Sequence, residues 1–125
     1  MKYILKALAL FAGLAAGGNS ASAETGNVAA PPSFARCTGC HSVAPGSKSG
    51  IGPNLFGLIG KKAGSKPGYA YSTALKASKM RWTKVTLAHY IQMPQTAVPG
   101  TKMLPPGLKS AAERDALVAY LASLK

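Results

Sequence analysis

From Ser42 to Gly68 the chain reads SVAPGSKSGIGPNLFGLIGKKAGSKPG, with glycine at positions 46, 50, 52, 57, 60, 64 and 68. Residues of this kind permit tight turns and close backbone approach, and they weaken helix and strand alike. Leu55, Phe56, Leu58 and Ile59 supply the main apolar bulk. Neither the length of a helix nor the sustained alternation of a strand is present. So long a stretch with so little regular structure is awkward for an ordinary compact domain. It becomes natural if the loop wraps a large apolar object other than protein.

The segments on either side are helical in pattern. Pro31 and Pro32 suit the first turn of a helix, which would carry Phe34 to Cys40 and end at Gly39 and the residues around it. YSTALKASK (71–79) reads as a weak short helix. TKVTLAHYIQM (83–93) reads as a better one, with Leu87, Tyr90 and Ile91 at helical spacing and Pro94 to close it. AVPGTKMLPPGL (97–108) is a loop with three prolines. In the last segment Ser110 and Glu113 form an S-x-x-E capping pattern, followed by Leu117, Tyr120, Leu121 and Leu124 at spacings of three and four. No two convincing strands are found. The expected fold class is all-α, with long loops.

The first 23 residues, MKYILKALALFAGLAAGGNSASA, place Lys2 and Lys6 before an apolar run and small residues before a cleavage site after Ala23. This is the pattern of a secretory signal peptide. Gly17, Gly18 and Asn19 leave the apolar run short for a bilayer crossing. Residues 24–125 would then form one small domain, in which a cross-link or bound group would supplement a modest core. The whole chain has 15 basic and 3 acidic residues; losing the two leader lysines leaves a formal side-chain balance of +10. Such a field attracts anionic surfaces. Export argues against nucleic acid as the partner and favours an acidic protein face or, at most peripherally, an anionic membrane.

Both cysteines and one of the two histidines lie in CTGCH, Cys37 to His41. A structural zinc site needs four protein ligands, and only distant His89 or a carboxylate could complete the set. A thioredoxin-like dithiol wants a strand before it and a long helix after it, but proline and glycine follow. A plain disulfide between Cys37 and Cys40 would leave His41 unexplained. C-x-x-C-H is also the pattern for covalent attachment of a c-type haem. Two thiols add to the vinyl groups of one porphyrin edge, and the next residue places an imidazole beneath the iron. Export and the apolar object demanded by the long loop both agree with that reading.

An iron that only carries electrons needs both axial positions filled, and histidine with methionine raises the reduction potential. Met1 leaves with the leader, Met80 stands between Lys79 and Arg81, and Met93 ends a helix. Met103, in the proline-braced stretch PGTKMLPPG, is the methionine a rigid strap would present. His89 lies off the Leu87–Ile91 stripe and reads as solvated.

Taken together, CTGCH (37–41), GPNLFGLIGKKAG (52–64), PGYAYSTAL (67–75), Trp82, PGTKM (99–103) and LVAYL (117–121) resemble class I cytochrome c, close to the mitochondrial type and to bacterial cytochromes c2 and c550. The resemblance spans essentially residues 26–125. It implies the small cytochrome c fold, with helices and long loops around one covalent haem c held through Cys37 and Cys40. It makes His41 the proximal and Met103 the distal iron ligand. Pro53 would supply the carbonyl that accepts from the proximal imidazole. Tyr71 and Trp82 would donate to an inner haem propionate, Thr101 would add a propionate-side hydroxyl, and Tyr90 would bond the methionine sulfur. Phe34, Leu117 and Tyr120 would form the contact between first and last helices. The chain departs from the family pattern at Lys61, where an arginine is common, at Leu75 in place of an asparagine, and at Pro105 in place of a surface aromatic.

The function expected is that of a soluble, monomeric, periplasmic one-electron carrier. No general base or nucleophile pair marks the chain as an enzyme; a peroxidase-like or gas-binding haem protein, with Met103 off the iron, is the rival. Arg36, Lys48, Lys102 and Lys109 are expected to surround the exposed haem edge. The resemblance implies transient, acidic-faced redox partners: a cytochrome bc-type complex, a terminal oxidase, a photosynthetic reaction centre or a periplasmic dehydrogenase.

Overall fold

A computed structural model describes residues 28–125. The expected leader and its boundary with the domain therefore lie outside the described residues. Pro31 is extended (φ −71°, ψ 157°) and Pro32 opens a single 3-10 turn, Pro32–Arg36. That turn ends earlier than the sequence pattern suggests. The backbone N–H of Cys37 already bonds back to Phe34 O at 2.8 Å, and the N–H groups of Cys40 and His41 both turn back onto Cys37 O. The first helix is thus reduced to one turn, leading into a second turn that carries the two thiols.

Four α-helices follow: α1 (Thr73–Ala77), α2 (Lys84–Gln92), α3 (Pro94–Ala97) and α4 (Ala111–Ser123). Among the described residues the only β pairing is one antiparallel bridge between Lys62 and Arg81, so the all-α expectation holds. Each longer helix starts where a hydroxyl can satisfy an orphan amide. Thr83 accepts from Thr86 N at 3.1 Å while Thr83 N donates to the Thr86 hydroxyl at 2.8 Å. Ser110 accepts from Glu113 N at 3.4 Å, one half of the expected box. Pro94 does not simply end a helix. The chain breaks at Met93 (φ −144°, ψ 76°) and Pro94 then sits at the first position of α3, where its missing N–H costs nothing.

The core forms where α4 crosses α2 and the first turn. Leu117 is fully buried, with Val118 and Leu121 beside it on α4 and Leu87, Tyr90 and Ile91 facing them from α2. Phe34 meets Tyr120 edge to face, with ring centroids 4.9 Å apart, which ties the first turn to the last helix. The long loop is organised by a residue the sequence pattern does not single out. Asn54 is only 3% exposed; its amide nitrogen donates to the carbonyls of Ala44 and Ser47 at 2.8 Å each, and its side-chain oxygen accepts from Phe56 N. One side chain thereby replaces the backbone pairing that a helix or sheet would have provided.

Candidate functional site

The loops and helices enclose a predominantly apolar cavity of about 470 Å³. Leu55, Leu58 and Leu75 come from the loop and α1, Leu87 and Ile91 from α2, and Leu121 from α4. Cys37, Cys40 and His41 lie on its wall, as do Pro53, Tyr71, Trp82, Tyr90, Thr101 and Met103. Every residue singled out in the sequence as a candidate for holding a cofactor therefore borders one space.

His41 is the most constrained of them. Its Nδ1 lies 2.7 Å from the carbonyl oxygen of Pro53. A carbonyl can only accept, so Nδ1 carries a proton, and in the neutral ring Nε2 is the nitrogen with the lone pair. The neighbouring Gly52 makes room for the ring: a Cβ there would stand 2.4 Å from His41 Cε1 and 2.8 Å from Nε2. The glycine and the proline carbonyl together set the imidazole's place and tautomer, which is how a metal-ligating histidine is prepared.

Cys37 is buried and Cys40 exposed. Burial, reinforced by the neighbouring Cys40, pushes the Cys37 thiol up from its ordinary value. Among the described residues no three His, Cys, Asp or Glu side chains gather as a metal site, short of the four ligands a structural zinc needs. Of Met80, Met93 and Met103, only Met103 borders the cavity; Met80 packs against the core and Met93 is about half exposed. His89 is exposed on α2.

Tyr90, which the resemblance sets on the methionine sulfur, has a hydroxyl partner on the methionine loop. Its buried phenol meets the Thr101 hydroxyl at 2.5 Å, so within the chain its partner is an oxygen of the methionine loop. Burial pushes the phenol up, and the Thr101 hydrogen bond opposes that shift. Burial likewise raises Tyr71, whose ring meets Tyr69 edge to face at 4.8 Å. Trp82 stacks edge to face on Tyr90, centroids 5.0 Å apart. Of the four cations expected around the site, Arg36 and Lys102 reach the cavity, whereas Lys48 and Lys109 do not. Ile51 and Leu104, 76% and 81% exposed, border the same cavity.

The donor set suits one kind of guest. Two thiols and an imidazole with a free Nε2 border the cavity, a thioether borders the same space, and the remaining walls are apolar. These residues fit a haem c. A small all-α fold around such a cavity defines a class of protein, and comparison with known proteins gives the family.

The family model described as Cytochrome c matches residues 32–125. Cytochrome c2 of Rhodoblastus acidophilus is 48% identical over 92 residues, covering 74% of this chain and 86% of its own. Cytochrome c-550 of Nitrobacter winogradskyi is 44% identical over 88 residues, covering 70% and 81%. Among solved structures, cytochrome cH from Methylobacterium extorquens matches with a TM-score of 0.67 at 41% identity, over 73% of this chain and 91% of that one. The chain belongs to the cytochrome c family, in its class I branch of c2- and c550-like one-electron carriers.

Proposed function

We propose that this chain is exported to the periplasm, binds one haem c through thioether bonds from Cys37 and Cys40, and shuttles single electrons between respiratory or photosynthetic redox partners. His41, through Nε2, and Met103, through its thioether, are the residues that would hold its iron. When bound, the haem supplies an iron that takes up and returns one electron.

The observation that carries the reading is the His41–Pro53 hydrogen bond at 2.7 Å, on the wall of the cavity that Met103 also borders. The protein's part is to hold ligands rather than to move atoms. Pro53 keeps the imidazole in one tautomer and orientation. The apolar walls exclude water and favour the less charged, reduced state, and a thioether ligand acts in the same direction. Tyr71, Trp82 and Thr101 border the cavity with polar groups that could receive the two carboxylates of a haem. Arg36 and Lys102 give the rim a positive field, and Ile51 and Leu104 give it an apolar contact area. This combination suits weak, steered encounters with an acidic-faced partner.

Mass spectrometry of the denatured, mature protein is the first test. The expected mass is the polypeptide from Glu24 plus one haem; the mass of the bare chain would overturn the assignment. Met103→Ala should then keep the haem attached while the oxidised protein loses its weak red iron–thioether absorption, takes up cyanide readily and shows a lower reduction potential. If Met93→Ala does this instead, Met103 is not the ligand.

A further inference from the structure

The segment that presents Met103 is a loop without regular structure, yet one side chain outside it grips its backbone from two directions. Gln95, on α3, donates from Nε2 to the carbonyl of Thr101 at 2.6 Å. The same carboxamide accepts from Gly100 N through Oε1 at 3.3 Å. One planar group thus joins a backbone donor and a backbone acceptor on consecutive residues. We propose that Gln95 is a positioning residue for Met103, a clamp that sets how readily the methionine leaves the cavity. The inference rests on Met103 being the distal ligand.

The rest of the loop shows why this clamp matters. Thr101 is held at each of its polar atoms: its N–H by Val98 O at 3.1 Å, its hydroxyl by Tyr90, and its carbonyl by Gln95. Gly100 has φ of +90°, and a Cβ there would stand 3.2 Å from the Ala74 Cβ, so the loop passes close over α1. Beyond Thr101 the support thins. Lys102 Nζ reaches Ala70 O at 2.8 Å, and Leu104 and Pro105 are exposed. Met103 stands two residues past the last firmly held position, so any slack at Thr101 passes directly to its sulfur. Val98 and Tyr90 hold Thr101 by its amide and its side chain; among the described residues only Gln95 holds the carbonyl that leads on to Lys102 and Met103.

Gln95 is itself exposed and lies outside the core, so its replacement can change the loop without unfolding the domain. In the oxidised holoprotein, Gln95→Ala removes both bonds. Losing two modest hydrogen bonds should raise the rate of cyanide uptake by roughly tenfold and weaken the red absorption band. Gln95→Glu keeps an acceptor for Gly100 but sets a carboxylate against the Thr101 carbonyl, and should speed uptake at least as much. Amide hydrogen exchange at Gly100 reads the clamp directly and should quicken in Gln95→Ala, with the global unfolding midpoint little changed. Wild-type cyanide rates in both variants would overturn the proposal. So would faster uptake that merely tracks a loss of global stability. Failure of the underlying reading would look different: the wild type itself would lack the red band and bind cyanide without hindrance.

Discussion

Gly52 shows how much a single missing atom can decide. A methyl group there cannot coexist with the His41 ring as it stands, because the built Cβ falls 2.4 Å from Cε1. Either the loop or the imidazole must move, and moving the imidazole strains its bond to Pro53. Gly52→Ala should destabilise the holoprotein by about 1–3 kcal/mol, the usual range for forced overpacking. Gly39→Ala is the matched control, since nothing lies within 4 Å of its added Cβ; it should change stability by no more than about 0.5 kcal/mol. Thermal unfolding of the two variants side by side checks the contrast, and equal midpoints would mean the loop yields easily. The glycine-rich character of 42–68 is visible in the sequence, but which glycine faces the imidazole is not. The same is true of Asn54, whose three partners lie on loop backbone that no periodicity reveals.

At the scale of elements, packing should outweigh capping. Leu117 is fully buried where α4 meets its neighbours, and Leu117→Ala should cost about 2–5 kcal/mol. Thr83→Ala removes the reciprocal cap of α2 and should cost about 1 kcal/mol. Urea unfolding of both variants tests the order; a cap worth more than Leu117 would mean that α2 is held mainly by its own first turn. The helical spacing of Leu87, Tyr90 and Ile91, and of Leu117 and Leu121, is legible because a helix repeats locally. The one-turn start at Pro32–Arg36 and the restart at Pro94 are less so. There the outcome depends on whether the chain can continue after a proline, and proline both ends one helix and suits the first turn of the next.

For the molecule as a whole, charge is the property most visible in the sequence. Only Glu113 and Asp115 are acidic among residues 28–125, and both lie on α4. Electron transfer with an acidic-faced partner should therefore slow as salt rises, since ions screen such attraction over roughly 8–10 Å near physiological strength. Charge reversal at Arg36 or Lys102, both at the cavity, should slow it more than reversal at Lys48, Lys109 or Lys125. Arg36 also donates to Pro106 O and Lys102 to Ala70 O, so an unchanged red band must accompany each comparison. Stopped-flow rates across a salt series give the answer. Rates indifferent to salt and to position would assign the encounter to the apolar pair Ile51 and Leu104 instead.

The sequence by itself determined the all-α class, the main helices and the grouping of thiols and imidazole in CTGCH, because each is a matter of spacing along the chain. The resemblance also pointed to Pro53 as the acceptor for His41, and the structure has that bond at 2.7 Å. Only the tertiary structure decided that Tyr90 pairs with Thr101 and that two of four expected cations reach the cavity. It alone placed Gln95 across the methionine loop. Those choices join loops and helix ends whose approach depends on the whole fold. Long-range contacts between irregular segments have no period to read, and their partners become evident only when the chain is closed.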